Sequence, residues 1–587
     1  MRDFRQEIIA KIAALPQIRE AGLTETDVSE IVEIPADPAL GDYAFPCFRL
    51  AKALRSAPQA IAAELAALLS SAAPLTDGPT PPELSAAATG PYVNFRIDPA
   101  ALAETLIRSV YGEKDRFGSS GPGAGRTVLV EYSSPNIAKP FHIGHIRSTV
   151  IGAAIANILA FLGYEVERIN HLGDYGTQFG KLIVAYRRFG SREEVERAPI
   201  ATLLKYYVDF HTQAEQDPSL EEEARAAFAA LERGEPEERA LWEWFREESL
   251  KEFTLVYDML GITFDSYAGE SFYSDKMKRV TDELEAAGLL ENSQGAQIVD
   301  LEAYGLGKAL IRKSDGSTLY ITRDVAAAIY RKEHYGFYKN IYVVASQQEL
   351  HFRQWIKIIE LMGYGWAQDC IHVPFGLVRL KDGAMSTRTG NVVLLEDVLR
   401  NAIEKTKAII EEKGVLTDGT EEAAAQIGIG AVVFQELHNN RIKDYVFDWD
   451  KALNFDGETG PYVQYSHARA ASVLRKAQEA GLNPDALDPA RRKIDFQALS
   501  GDAAAALVKL LYQLPAQVRE AGERYEPSLL TRHLVDIAQA FSVFYHEERI
   551  LTDDPAATDA KLALAWCART CIANGLRLLG VAAPERM

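Results

Sequence analysis

The stretch from Thr127 to Gly173 constrains the fold more than any other. TVLVEYS (Thr127 to Ser133) is β-branched and almost continuously apolar, which predicts a strand buried on both faces. In IRSTVIGAAIANILAFLG, Ile146, Val150, Ile151, Ala154, Ile155, Ile158 and Leu159 recur at helical spacing, and Gly163 ends the helix. EVERINHLG then reads as a second strand. Strand, helix and strand of these lengths form a βαβ unit, which requires a parallel sheet and a right-handed crossover.

Between that strand and helix lies PNIAKPFHIGH, Pro135 to His145. His142 and His145 are three apart and share one face of a helix. Gly144 leaves the backbone bare between them. Ligands bind open parallel sheets at the carboxyl ends of strands, and helix N-termini attract phosphate. Lys139 would add a positive charge there. Four residues of the form HxGH would by themselves mean two surface histidines; their placement at the first strand-to-helix turn points to a nucleotide.

With 587 residues, the chain is too long for one core. Breakers at Ser70 to Ser85 and Phe117 to Arg126 read as a loop and a linker, with a short strand, GPYVNFRID, between them. The expected domains are 1–118, then 119–395 with a helical, acidic insertion at about 190–300, then an all-α domain over 396–587. GDYAFPCF (Gly41 to Phe48) reads as a loop between N-terminal helices. The opening MRDFRQEIIAKIAAL reads as an amphipathic helix and not a signal peptide. No apolar run reaches the length that crosses a bilayer. The four cysteines have no metal-site spacing, and Cys567 and Cys571 read as core residues; a reducing cytoplasm is the simplest compartment. The net charge of −20 argues against non-specific coating of nucleic acid, but not against a locally basic face.

The motifs resemble a family. HIGH at the first strand-to-helix turn is the signature of class I aminoacyl-tRNA synthetases. VEYSSPNIAKPFHIGHIRST, HLGDYGTQFGKL, LYITRDVAAAIYR, YVVASQQELHF, FDGETGPYVQYSHAR and the ending APERM resemble the arginyl-tRNA synthetase family, in that family's order along the chain. The resemblance implies a multidomain α/β protein. Its Rossmann-type parallel-sheet catalytic domain is split by a helical insertion, with an α+β N-terminal domain and an all-α anticodon-binding domain beside it. The implied reaction joins L-arginine and ATP into arginyl-adenylate and pyrophosphate, then moves the arginyl group to the terminal ribose of tRNA(Arg). Neither step needs a protein nucleophile; positioning and charge neutralisation suffice. Magnesium is expected with the triphosphate, and no protein-ligated metal. The family's usual state is a cytoplasmic monomer, and activation that requires bound tRNA is a further expectation.

By resemblance, His142, Gly144 and His145 bind ATP. The class's second ATP signature, Lys-Met-Ser-Lys, stands here as AMSTRTG (Ala384 to Gly390), so Ala384 and Thr387 replace lysines, and Thr389 stands where many arginyl enzymes carry another. Met385 and Ser386 would still touch nucleotide, Lys139 would supply the absent charge, and Arg388 would assist. Gly173 and Asp174 are ATP-side candidates; for Asp174 a capped structural turn and a substrate contact both stand. Tyr320, Asp324 and Glu131 match the guanidinium ligands, and Ser134, Asn136 and Gln348 match the groups that hold the amino acid's α-amino and carboxylate ends. Glu131 is unusual on a buried strand without a partner. Tyr92 and Asn94, on one strand face, match a single-base reader of the tRNA elbow. Tyr462, Tyr465, Tyr545 and Met587 match anticodon contacts, although Tyr545 fits a core position equally. Two rival readings are a nucleotidyltransferase of another kind, with HxGH on the same fold, and a non-catalytic tRNA-binding paralogue, favoured only by AMSTRTG. A cysteinyl or glutamyl relative is disfavoured by YITRD and PNIAKPFHIGH.

Overall fold

The computed structural model describes residues 1–71, 83–313, 320–380, 393–413 and 419–587. The contacts divide these into two compact units. One comprises Met1–Phe117, Ala470–Leu514 and Gln539–Cys571, and the other Gly118–Arg469, Pro515–Ala538 and Ile572–Met587.

In the larger unit, a four-stranded parallel sheet carries the site. Its strands are β1 (Thr127–Glu131), β2 (Glu165–Ile169), β3 (Lys339–Ala345) and β4 (Cys370–Phe375), in the order β4–β3–β1–β2. Helix α1 (Ile146–Phe161) crosses from β1 to β2 as the periodicity predicts. It is buried almost all round, and Gly152 is required: a Cβ there would lie 2.1 Å from the Tyr132 Cβ. Contrary to the sequence reading, the helical stretch Ile143–Phe161 is long and apolar enough to cross a bilayer, but most of it is buried inside the protein. It is the central helix of a core, which water never reaches.

After β2 the chain leaves the sheet. Helices run from Thr177 to α2 (Pro236–Leu260), and the antiparallel strands Glu291–Ser293, Ala296–Asp300 and Lys308–Arg312 follow. The first two of these strands lie in the segment of about 190–300 read as helical, whose composition is mostly that of helices. Helix α3 (Tyr320–Tyr335) then leads into β3, and α4 (Glu349–Leu361) leads from β3 to β4. Leu129, Ile169, Val325, Ala328, Ile329, Trp355, Ile358 and Ile359 share one core against this sheet. From Leu395 onward helices dominate, and the one described strand, Tyr445–Phe447, pairs parallel with Val378–Leu380.

The smaller unit holds the antiparallel sheet Tyr43–Pro46, Tyr92–Ile97 and Leu84–Thr89, with the second in the centre. The first falls in a segment read as a loop, and the last begins at the end of one. Gly41, at φ 136°, lets the chain approach so closely that a Cβ would sit 2.6 Å from the Phe95 carbonyl oxygen. The opening helix, Phe4–Ala13, is capped by Asp3, whose side chain accepts from the Gln6 amide. All four cysteines are buried free thiols.

Candidate active site

In β4–β3–β1–β2 the strand order reverses between β1 and β3. A parallel sheet opens a crevice there, at the carboxyl ends of its strands. The HIGH segment follows β1, and Gln348 ends the short turn Ser346–Gln348 that follows β3. The loop after β1 is tightly wound: Ser133, Ser134 and Ala138 all have positive φ, at 68°, 49° and 58°. Such backbone persists only where its surroundings hold it. Here the Ser133 amide donates to the Ser148 hydroxyl at 3.0 Å, and the Ser133 hydroxyl meets Thr149 at 2.9 Å and Tyr257 at 2.8 Å. The loop is also zipped to the HLGDYG segment. The Gly173 amide donates to the Pro135 carbonyl and the Ile137 amide to the Gly173 carbonyl, both at 3.1 Å. A Cβ on Gly173 would lie 2.2 Å from the Asn136 Oδ1, so only glycine lets Asn136 lie flat against this segment.

The two histidines cap each other's turn. The Gly144 amide donates to His142 Nδ1 at 3.0 Å, and the His142 amide donates to His145 Nδ1 at 3.1 Å. His145 Nδ1 is also 3.2 Å from the His142 carbonyl, but an amide N–H can only donate, so the ring nitrogen accepts from it. Each neutral ring therefore carries its proton on Nε2. Burial lowers both imidazoles, that of His145 to about 3, with the His142 ring beside it adding to the effect. The pair supplies N–H donors without positive charge. Among the described residues of this loop the cation is Lys139, which is exposed.

Further along, the carboxylates have partners within the chain. Asp174, fully buried, accepts from the Ser271 amide at 2.8 Å, the Ser271 hydroxyl at 3.0 Å and Arg246 Nε at 3.1 Å. The structure thus places Asp174 as an anchor for the insertion. Glu131 ends β1 as expected and is buried, with its Oε2 2.6 Å from Arg331 Nη1. The pair is close but poorly aligned, since Nη1 makes no hydrogen bond of good angle. Tyr320 and Asp324 stand one turn apart on α3, and Tyr320 is 63% exposed. Asp324 Oδ2 accepts from His351 Nε2 at 2.5 Å. Arg323 bonds Glu270 at 2.7 Å and lies 5.0 Å from the centre of the Tyr175 ring. Burial raises the Glu270 carboxyl to about 7; Arg323 and Lys139 oppose this, while Asp324 and Asp174 add to it.

Ser134 accepts from the His171 amide at 3.2 Å, and Asn136 and Gln348 are exposed. Tyr92 meets Phe48 edge-on at 5.7 Å, and Asn94 beside it is buried with its Nδ2 unpartnered. Tyr465 is 38% exposed under the Arg469 guanidinium, and Tyr462 is half-buried on the same helix. Met587 packs against the cluster of Ile410, Ala423, Ala424 and Ile427. Tyr545 lies in the smaller unit, half-buried, with Phe541 at 6.4 Å. Met385, Ser386 and Arg388, with all of AMSTRTG, lie outside the described residues.

The motif reading missed Arg331, Glu270, Arg323, His351 and Arg246. A usable signal existed for two of them. In YITRDVAAAIYR, Arg323 and Arg331 sit among residues that must be buried, and a buried guanidinium requires a carboxylate.

A parallel sheet reversing at β1/β3, with HIGH at the first turn, is the catalytic fold of class I aminoacyl-tRNA synthetases, shared with other nucleotidyltransferases, and the sequence patterns decide between them. The family pattern described as "tRNA synthetases class I (R), catalytic domain" matches residues 108–449. "Arginyl tRNA synthetase N terminal domain" matches 3–97 and "DALR anticodon binding domain" matches 463–587. The chain is similar to the "Arginine--tRNA ligase" of Halothermothrix orenii, 52% identical over the whole of both chains. It is also similar to the protein of that name from Clostridioides difficile, 54% identical over 96% of this chain and 97% of that one. Among solved structures, Thermus thermophilus arginyl-tRNA synthetase superposes with a TM-score of 0.79 at 27% identity, covering all of both chains. The Plasmodium falciparum enzyme, at 22% identity and the same TM-score over all of both chains, shares the fold. The chain belongs to the arginyl-tRNA synthetase family.

Proposed function

We infer that the protein is an arginine–tRNA ligase: it activates L-arginine with ATP and charges tRNA(Arg). The observation that carries this reading is the pair of neutral histidine donors on the loop that leaves the carboxyl end of β1, with Lys139 on the same loop and Glu131 at the end of the strand. In the first step the arginine carboxylate oxygen attacks the α-phosphorus of ATP, and pyrophosphate leaves with the electrons of the broken P–O bond. In the second, a ribose hydroxyl of the tRNA end attacks the adenylate carbonyl, and AMP leaves. The chain's contribution is orientation and charge.

We assign His142 and His145, with the Gly144 backbone, to ATP phosphate, each ring donating from Nε2. Lys139 is the charge that AMSTRTG does not bring, and Met385, Ser386 and Arg388 complete the nucleotide contacts. Magnesium accompanies ATP as part of the substrate. Asp324 is the principal guanidinium carboxylate; His351 holds its Oδ2 and Tyr320 stands beside it. Glu131 is the second, with Ser134, Asn136 and Gln348 toward the amino acid's backbone groups. Asp174 and Gly173 act by fixing the loop around them. Tyr92 and Asn94 read the tRNA elbow, and Tyr462, Tyr465, Tyr545 and Met587 the anticodon. Domains at 1–118, 119–395 and 396–587, and a cytoplasmic monomer, complete the proposal.

The test is ATP–pyrophosphate exchange with arginine, with and without tRNA, for wild type and Lys139→Ala. Exchange that needs tRNA and falls about 100-fold in the variant supports the assignment of Lys139. Full exchange in the variant moves that role to Arg388. Intact tRNA binding with no exchange under any condition would favour a non-catalytic paralogue.

A further inference from the structure

Arg147 is the second residue of α1, two places after His145, and it is completely buried. Its Nη1 donates to the Gly376 carbonyl at 3.0 Å and the Lys443 carbonyl at 2.8 Å. Its Nε faces Glu436 Oε2 at 3.5 Å, with neither atom in a hydrogen bond of good angle, and its guanidinium lies 5.2 Å from the centre of the Tyr445 ring. Glu436, on the helix Thr420–His438, is also completely buried and accepts the Tyr445 hydroxyl on Oε1. Burial raises the Glu436 carboxyl to about 8, and Arg147 pulls it back.

The place of this cluster matters more than its strength. Gly376 crosses the backbone at 442–444 so closely that a Cβ would be 2.6 Å from the Lys443 carbonyl carbon. Beyond it, Val378–Leu380 runs parallel to Tyr445–Phe447. On the other side, Val393–Leu395 is bound to the HIGH segment itself: the Ile143 amide donates to Val393 at 3.1 Å, and the Leu395 amide to Phe141 at 2.9 Å. The segment carrying both histidines is thus held to Val393–Leu395 directly and to Gly376–Leu380 through Arg147. A buried polar cluster of this kind gains little stability over apolar residues of equal volume, but it can fix one arrangement among several.

We propose that Arg147 is a positioning residue for adenylate formation. It sets the two ATP-facing histidines against the strand Val378–Leu380, and Glu436 and Tyr445 hold its guanidinium in that register. The proposal rests on the assignment of His142 and His145 to ATP.

The experiment measures ATP–pyrophosphate exchange with full-length protein, normalised to titrated active sites, for Arg147→Lys, Tyr445→Phe and His142→Asn. Tyr445→Phe removes one hydrogen bond and no charge, so it tests the cluster even if Arg147→Lys folds poorly. The expected result is a tenfold or greater fall in kcat for Arg147→Lys and a threefold to tenfold fall for Tyr445→Phe. The KM for ATP should rise in both, while the KM for arginine changes less than twofold. A merely structural role would lower the active-site titre and leave the normalised constants at wild-type values, and that result overturns the proposal. If His142→Asn also exchanges normally, the ATP assignment falls first; if it fails to exchange while the other two are normal, only the positioning role is lost.

Discussion

At the residue scale, the site proposed around His142 and His145 would work with neutral imidazoles. A positive ring would bind phosphate in the ground state as strongly as in the transition state, whereas a fixed N–H donor can be aimed at the charge that develops. His142→Asn keeps a donor group but shortens its reach, and should lower exchange about 100-fold. Burial of His145 also links stability to pH. Its folded pKa, about 3, lies below the ordinary 6.5, so between those values the unfolded chain binds the extra proton. Its contribution is complete above 6.5 and is lost as pH falls. Glu270 and Glu436 are shifted upward and act in the opposite sense, so the informative quantity is a difference. Wild type should lose more stability than His145→Asn between pH 7 and pH 5, read as the shift in urea midpoint. Equal losses would mean that the ring is not protected from protons.

At the element scale, the β1–α1–β2 unit was legible because each part repeats a simple period and the proposed site residues sit between the parts. Gly152 is the element's tightest point. Gly152→Ala must push α1 off Tyr132 and should cost about 1–3 kcal/mol by overpacking, seen as a lower thermal midpoint with the helix content retained. Other elements hid for physical reasons. Leu84–Thr89 is LSAAAT, small residues largely exposed on an outer strand, with none of the β-branched density that marked β1. YAFP, Tyr43–Pro46, is too short to show alternation and ends in proline. The pairs Arg331–Glu131, Arg323–Glu270 and Arg147–Glu436 were illegible as pairs because sequence spacing carries no information on partners so far apart in the chain. Each charged residue alone was conspicuous, lying in an apolar helix or strand.

At the scale of the whole molecule, the helix Thr420–His438 joins two regions of the larger unit. Its first turns pack with Met587 through Ala423, Ala424 and Ile427, and its last turn delivers Glu436 to Arg147. Nineteen residues at 1.5 Å each make it roughly 28 Å long. Tyr465→Ala should raise the KM for tRNA about tenfold and leave exchange at saturating tRNA unchanged, because stacking on a splayed base is worth about 1–3 kcal/mol. An unchanged KM for tRNA in steady-state charging would remove Tyr465 from the interface. The Glu131–Arg331 pair has a consequence for redesign. Either residue lost alone strands a buried charge, at a cost of about 3–5 kcal/mol, a large part of the roughly 5–15 kcal/mol that holds a domain folded. Either single substitution is therefore expected to cost more than the double one. Glu131 is half of a two-letter word, and a redesign of this strand end must rewrite both letters at once.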